Sequence, residues 1–322
     1  HDYSGDLSEI FLMNLKSAVP WIVKSTNVKY VEEFIHDISP ISRLHTATHL
    51  CNLVKVSAVE YVRNQAGKAL LSLAPLLSID QRNDVAIELL RGLDIEGYEF
   101  SKYIPRYLGE LMLYLHPKEL DESIDDYEIY AKDRSSRTIP LILNTVAFII
   151  EHYNKYPQRF PESKKIYDAR LEKMIGILMA GLSNYDENIR QEAFYFIGKN
   201  IFNSEILTLE EKHYIFKKIN KKLLTLLSEK DLTDVFFISN SASLNHIYRF
   251  ISDYTFFIGE MKYIDKTKAA FFPGTFDPFS VGHKQIVKEI KSLGFEVYLA
   301  LDEFSWSKKT QPRLYRRQIA NL

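Results

Sequence analysis

The sequence is poor in several things, and each shortage excludes something. It has one cysteine, Cys51, in 322 residues. No intrachain disulfide can form, so a reducing compartment, the cytoplasm, is the expected location. Glycine (12) and proline (11) are scarce, about 7% of the chain against an average of about 12%. Few turn-makers in a long chain favour long elements with few breaks, which means helices. Neither charge sign dominates, with 41 Lys+Arg against 42 Asp+Glu. That balance argues against a nucleic-acid or membrane-surface partner. No apolar run nears the roughly 20 residues that span a bilayer; the longest is TVAFII. The chain opens on His1 without a signal peptide and reads as a fragment. What the sequence does have is 46% hydrophobic and 13% aromatic residues, enough for two domains with a sizeable core.

Residues 1 to about 227 read as helix after helix. LSEIFLMNLKSAVPWIV spaces Ile10, Leu12, Met13, Leu15, Val19 and Ile22 along one helical face. KYVEEFIHDI does the same with Val31, Phe34, Ile35 and Ile38. Asp80, Ser101, Asp186 and Ser204 are the expected N-caps. A repeat runs through this region. VRNQAGKALLSLA and IRQEAFYFIGKNI share an arginine followed by alanine and an apolar face, and IPRYLGELMLYL has Arg106 in the same place. Arg63, Arg106 and Arg190 fall at multiples of about 42 residues. The region resembles HEAT repeats, with DENIRQEAFYFIG the best match. The resemblance implies an α-solenoid or helical array offering a surface to a protein partner. Each arginine would start an inner helix, capping carbonyls or pairing with an acid across repeats.

Residues 228–265 read as a last helix, LNHIYRFISDYTFFI, and a linker, with a domain boundary near 266. Beyond it the pattern changes. KAAFFPG is expected as a short buried strand, GHKQIVKEIKSLG as a helix closed at Gly294, and FEVYLALDE as a second strand. Strand, helix, strand is a βαβ unit of a parallel sheet. Ligands of such sheets bind at the carboxyl ends of the strands.

The turn at that end is GTFDPFSVGH, Gly274 to His283. Gly274 has no Cβ to block a nucleotide. The amides of Thr275 and Phe276 can face phosphate oxygens. Pro278 fixes the turn, and Asp277 can brace it through nearby amides. Gly282 and His283 open the helix, whose first amides attract anions. These ten residues resemble the signature of the nucleotidyltransferase superfamily, as in nicotinate mononucleotide and phosphopantetheine adenylyltransferases. The resemblance covers about 53 residues, Lys268 to Ala320. It implies a Rossmann-like domain that transfers AMP from ATP to a phosphorylated acceptor, releasing pyrophosphate. Magnesium would ride on the phosphates. Nicotinate mononucleotide is the first acceptor, giving a role in NAD biosynthesis; phosphopantetheine or a cytidylyl transfer is second. His283 and Ser280 take the catalytic positions. Gly274, Thr275, Phe276, Asp277 and Gly282 hold the nucleotide.

Two departures stand out. Ser280 replaces the family's histidine or threonine; it donates a hydrogen bond but carries no charge. And the family's later ISxxxxR-like motif does not occur before Leu322. The 322 residues thus hold about the first third of such a domain and are expected to be inactive alone. Downstream, SWSKKTQPRLYRR supplies Lys308 or Lys309 for the triphosphate, and Arg313 aligns with the family's helix-opening arginine. The competing reading is a helical-repeat interaction or regulatory module carrying a degenerate nucleotidyltransferase segment.

Weaker signals read as structural. His45 and His49 have zinc spacing but no third ligand. KKINKK, Lys217 to Lys222, reads as a solvated helix face, Trp306 as core or interface, and Cys51 as an inert buried thiol.

Overall fold

The computed structural model describes residues 19–95, 98–227, 234–261, 268–302, 310–312 and 315–316, together with Glu9, Met13 and Ala320. The first expected helix and the expected boundary near 266 therefore lie largely outside the described residues. The chain forms two compact units, 1–174 and 175–322. The protein is mainly α-helical, with one small parallel sheet among the described residues.

In the first unit the helices are α1 (Trp21–Glu33), α2 (Pro40–Val56), α3 (Glu60–Leu73), α4 (Ile79–Arg91), α5 (Tyr98–Ser101), α6 (Ile104–Met112), α7 (Pro117–Asp133), α8 (Thr138–His152), α9 (Tyr156–Arg159) and the start of α10 (Lys164–Leu182). α3 packs on α1 and α2, α4 on α2 and α6, and α8 on α6 and α7. Each helix thus buries its apolar stripe against near neighbours in sequence, which makes a helical array. Leu50, Val54, Leu70, Leu73, Leu89, Leu108, Leu111, Ile142 and Val146 are buried in it. α6 approaches α8 so closely that a Cβ on Gly109 would lie 2.9 Å from the Thr145 carbonyl oxygen.

Arginines close the joints. Arg63 is buried, donates to the Ser57 carbonyl oxygen and lies 4.1 Å over the Tyr103 ring. In the second unit, Arg190 donates to the Asn184 and Tyr185 carbonyl oxygens at 2.9 and 3.0 Å. Both seal carbonyls left open at the preceding helix end, as expected from the repeat. Arg106 differs: it faces Glu110 of its own helix at 3.7 Å. Two further arginines reach forward. Arg43 donates to the Leu76 carbonyl oxygen at 3.1 Å and Arg82 to that of Tyr114 at 3.0 Å.

A buried arginine gathers charges around it. The Arg170 guanidinium meets Asp121 at 2.6 and 3.0 Å, Glu162 at 3.0 Å and the Tyr153 hydroxyl at 3.0 Å. This fork joins α7, the end of α8 and α10 with geometry that only arginine supplies.

The caps correct three expectations. α4 is capped by Ser78, whose hydroxyl accepts from the Gln81 amide while the Gln81 side chain accepts from the Ser78 amide. Asp80 sits inside the first turn. Thr208 and Glu211 form the same reciprocal pair, and Ser204 instead accepts from the Ile206 and Leu207 amides in the loop before it. Ser101 ends α5 and donates to the Gly92 carbonyl oxygen at 3.2 Å. Asp186 is an N-cap, accepting from the Asn188 amide.

In the second unit, α11 (Glu187–Phe196) continues into a π-helix (Ile197–Phe202), followed by α12 (Leu209–Leu227) and α13 (Asp234–Phe257). Phe202, Phe216 and Phe250 form their shared aromatic core, with centroids 5.2 to 5.9 Å apart. Then come β1 (Lys268–Gly274), α14 (Val281–Ser292) and β2 (Phe295–Leu301). The strands pair in parallel, from Lys268 opposite Phe295 to Gly274 opposite Leu301. α14 ends as expected, with Gly294 at φ 81°. β1, however, is not a buried strand. Its residues alternate, and Phe271 is 75% exposed. Among the described residues the sheet has two strands; α14 packs on its Phe272 side, and on the other side Phe271 stacks on Tyr298 and stays exposed.

Among the described residues, no helix is long and apolar enough to cross a membrane.

Candidate functional site

The loop from Gly274 to His283 leaves β1 and enters α14 at the carboxyl ends of both strands. The Asp302 amide donates to the Gly274 carbonyl oxygen at 3.2 Å, extending the pairing past the strands.

Phe276 is the pivot. It is 2% exposed and adopts φ 49°, a left-handed conformation that costs a non-glycine residue about 1–2 kcal/mol. The conformation turns its ring back over β1. A Cβ on Gly274 would lie 2.8 Å from that ring. The space that glycine leaves open is thus taken by Phe276, so Gly274 serves the loop's packing. The ring also touches Phe272 and Phe279, at 5.3 and 5.5 Å between centroids.

His283 stands against this aromatic wall. Phe276 meets its imidazole edge-on at 5.2 Å, and Phe279 stacks on it at 5.5 Å. The Ser280 amide donates to His283 Nδ1 at 3.0 Å, and the His283 amide donates to Ser280 Oγ at 3.4 Å. Histidine here fills the place that glutamate or glutamine takes in a capping box. With Nδ1 accepting, the neutral ring carries its proton on Nε2, a donor of fixed orientation. Ser280, the departure from the family pattern, is the N-cap of α14.

Val281 begins the helix, so Gly282 and His283 are its second and third residues. Glycine in a helical turn costs up to about 1 kcal/mol relative to alanine. Packing does not ask for it at 282: a Cβ there would meet only Ser280 Oγ, at 3.6 Å. What it keeps clear is the approach to the first turn.

Asp277 braces the loop at long range rather than through nearby amides. Its carboxylate accepts from the Gln311 amide at 2.7 Å. The Asp277–Pro278 peptide bond is cis. Thr275 contributes its carbonyl oxygen to Arg316 at 2.6 Å. Lys308, Lys309, Arg313 and Trp306 lie outside the described residues.

Arg316 is the residue that sequence reasoning passed over. Its side chain is wholly buried and donates to three carbonyl oxygens: Thr275 at 2.6 Å, Asp302 at 2.8 Å and Gln311 at 2.9 Å. It therefore ties the loop, the end of β2 and the returning chain to one cation. In the sequence it is one of several basic residues after Pro312, and nothing there separates a buried cation from a solvated one. The base of the sheet has its own tie: Lys221 on α12 pairs with Glu296 on β2, and this bond raises the lysine's pKa.

A second concavity, of about 150 Å³, lies in the first unit between α4 and α7. Glu119, Glu122 and Asp126 line it, so its sign is wrong for a phosphate group.

The sequence matches no protein-family model and no curated protein. Among solved structures, an engineered protein determined by the Northeast Structural Genomics Consortium overlays 76% of this chain and 97% of its own, at 13% identity and a TM-score of 0.32.

Proposed function

We propose that the second unit carries the opening part of a Rossmann-like nucleotidyltransferase domain, and that the loop 274–283 binds the phosphates of ATP. The reading is adenylyl transfer to a small phosphorylated acceptor, with nicotinate mononucleotide first. The observation that carries it is the glycine at 282. The first turn of α14 keeps a residue that costs helix stability and that packing does not require, directly beside an oriented histidine, at the mouth of a parallel sheet.

An acceptor phosphate oxygen attacks the α-phosphorus of ATP, and the bond from that phosphorus to the bridging oxygen of pyrophosphate breaks. His283 Nε2–H donates to a phosphate oxygen as charge grows on the leaving group. Phe276 and Phe279 hold the imidazole in place. Free amides of the first turn of α14 add fixed partial positive charge. Among the described residues no group of three His, Cys, Asp or Glu side chains is placed to hold a metal ion. Magnesium would reach the site on the triphosphate.

The helical region is read as HEAT-like, supported by the matching carbonyl caps of Arg63 and Arg190. A second reading has one observation in its favour. No residue of α14 is buried, and Val281, Phe271 and Leu293 are well exposed, as befits an interaction module carrying a degenerate nucleotidyltransferase segment.

Pyrophosphate release from ATP and magnesium, with nicotinate mononucleotide and then phosphopantetheine, decides between them. The expected result is release with one acceptor and a fall of about 10²–10³ on His283→Ala. No release with any acceptor sinks the enzyme reading.

A further inference from the structure

We propose that the helical part of the second unit braces the loop 274–283, through the positioning residues Tyr185, Tyr315 and Arg316. The inference rests on the nucleotide reading for its consequence, but its geometry stands independently.

The path begins at the repeat motif. Arg190, in α11, donates to the carbonyl oxygens of Asn184 and Tyr185 and so fixes the turn between α10 and α11. Tyr185 extends from that turn and stacks on Tyr315, with centroids 4.9 Å apart and planes 17° from parallel. Tyr315 precedes Arg316 in a helical turn whose Arg316 amide donates to the Pro312 carbonyl oxygen. From there the buried guanidinium holds Thr275, Asp302 and Gln311. The Gln311 amide in turn binds Asp277. Each link from the helical turn to the loop is a direct contact.

The arrangement explains why this loop needs outside support. It holds Phe276 in an unfavourable backbone conformation, and such conformations persist only where surroundings over-determine them. The strands beneath are half exposed and α14 has no buried residue. Arg316 bonds the loop at Thr275 and the end of β2 at Asp302, and its third bond, to Gln311, fixes the segment whose amide holds Asp277; the Tyr185 ring holds the turn that carries Arg316. Tyr185 is 47% exposed, so removing its ring leaves the helical core untouched.

Hydrogen exchange of the 322-residue chain tests the brace, with Mg-ATP titration of the same samples testing its consequence. Tyr185→Ala is expected to lower protection across 274–283 by about 2- to 10-fold, the worth of an aromatic pair, and to leave the melting temperature unchanged. Tyr185→Phe, which keeps the ring, restores protection. Tyr315→Ala matches Tyr185→Ala, and the double variant loses no more than either single, because both remove one contact. Mg-ATP affinity follows the same order. Unchanged exchange in Tyr185→Ala, or losses that add in the double variant, overturns the proposal. If exchange responds as expected but the wild-type chain does not bind Mg-ATP, the brace stands and the nucleotide reading falls.

Discussion

The helical array of residues 19–174 and the β1–α14–β2 segment handle their polar groups differently. In the array, a missing partner is supplied from inside: Arg63, Arg43 and Arg82 reach open carbonyls, and Arg170 neutralises two carboxylates. A continuous set of its apolar side chains, among them Leu50, Leu70, Leu89, Leu108 and Val146, is wholly buried. The β1–α14–β2 segment buries little of itself. Its one wholly buried large polar side chain is Arg316, among the described residues, and that side chain comes from beyond β2. The array is held by its own packing. The loop is held by a few placed bonds, which leaves the first turn of its helix accessible.

Substitutions in each region sharpen that contrast. The largest effect is expected at Arg170. Arg170→Ala leaves Asp121 and Glu162 facing each other without their cation, and breaking a buried ion cluster costs about 3–5 kcal/mol. Asp121 is more than half exposed, so the lower end, about 3 kcal/mol, is expected in urea unfolding. A cost below about 1 kcal/mol, the range of an exposed pair, would mean the array does not depend on its internal charges. Gly109→Ala comes next. Its Cβ would press on the Thr145 carbonyl and on Phe148, and overpacking costs about 1–3 kcal/mol, read as a lower denaturation midpoint. Gly282→Ala, in the accessible first turn, is the smallest. Stability should hold or rise by up to about 1 kcal/mol, while Mg-ATP binding weakens. A marked loss of stability there would show that the glycine serves packing after all.

Much of the fold was legible from spacing alone. The helix now seen at Asp234–Phe257 and the strand–helix–strand order agree with 3.6- and 2-residue periods. The array faces agree in part: Val31, Ile35 and Ile38 are buried, but Met13, Ile22 and Phe34 are exposed, and Phe34 lies past the end of α1. Caps were half legible. Ser78 and Thr208 were passed over for Asp80 and Ser204, although Gln81 and Glu211 three residues on carried the reciprocal signal. At Ser280 even that signal was hidden, because histidine plays the glutamate's part. Local patterns do not report which groups close in space. Tyr185 and Tyr315 meet across most of the second unit's sequence, and the burial of Arg316 depends on three carbonyls from three separate segments. The exposure of Phe271 was unreadable for a related reason: an apolar run shows that a face wants cover, not whether cover is present.

Arg43 and Arg82 stand 39 positions apart, and each reaches a carbonyl 33 or 32 residues ahead. A stretch of that length therefore carries its own fastening to the next one. Duplicating such a stretch in the gene would duplicate this fastening, while pairs such as Ser25 with Gln65 and Tyr107 with Asn64 tie the stretch to its two neighbours. One seam contact of an array built this way is thus inherited whole with each added length, and the others must be matched to it.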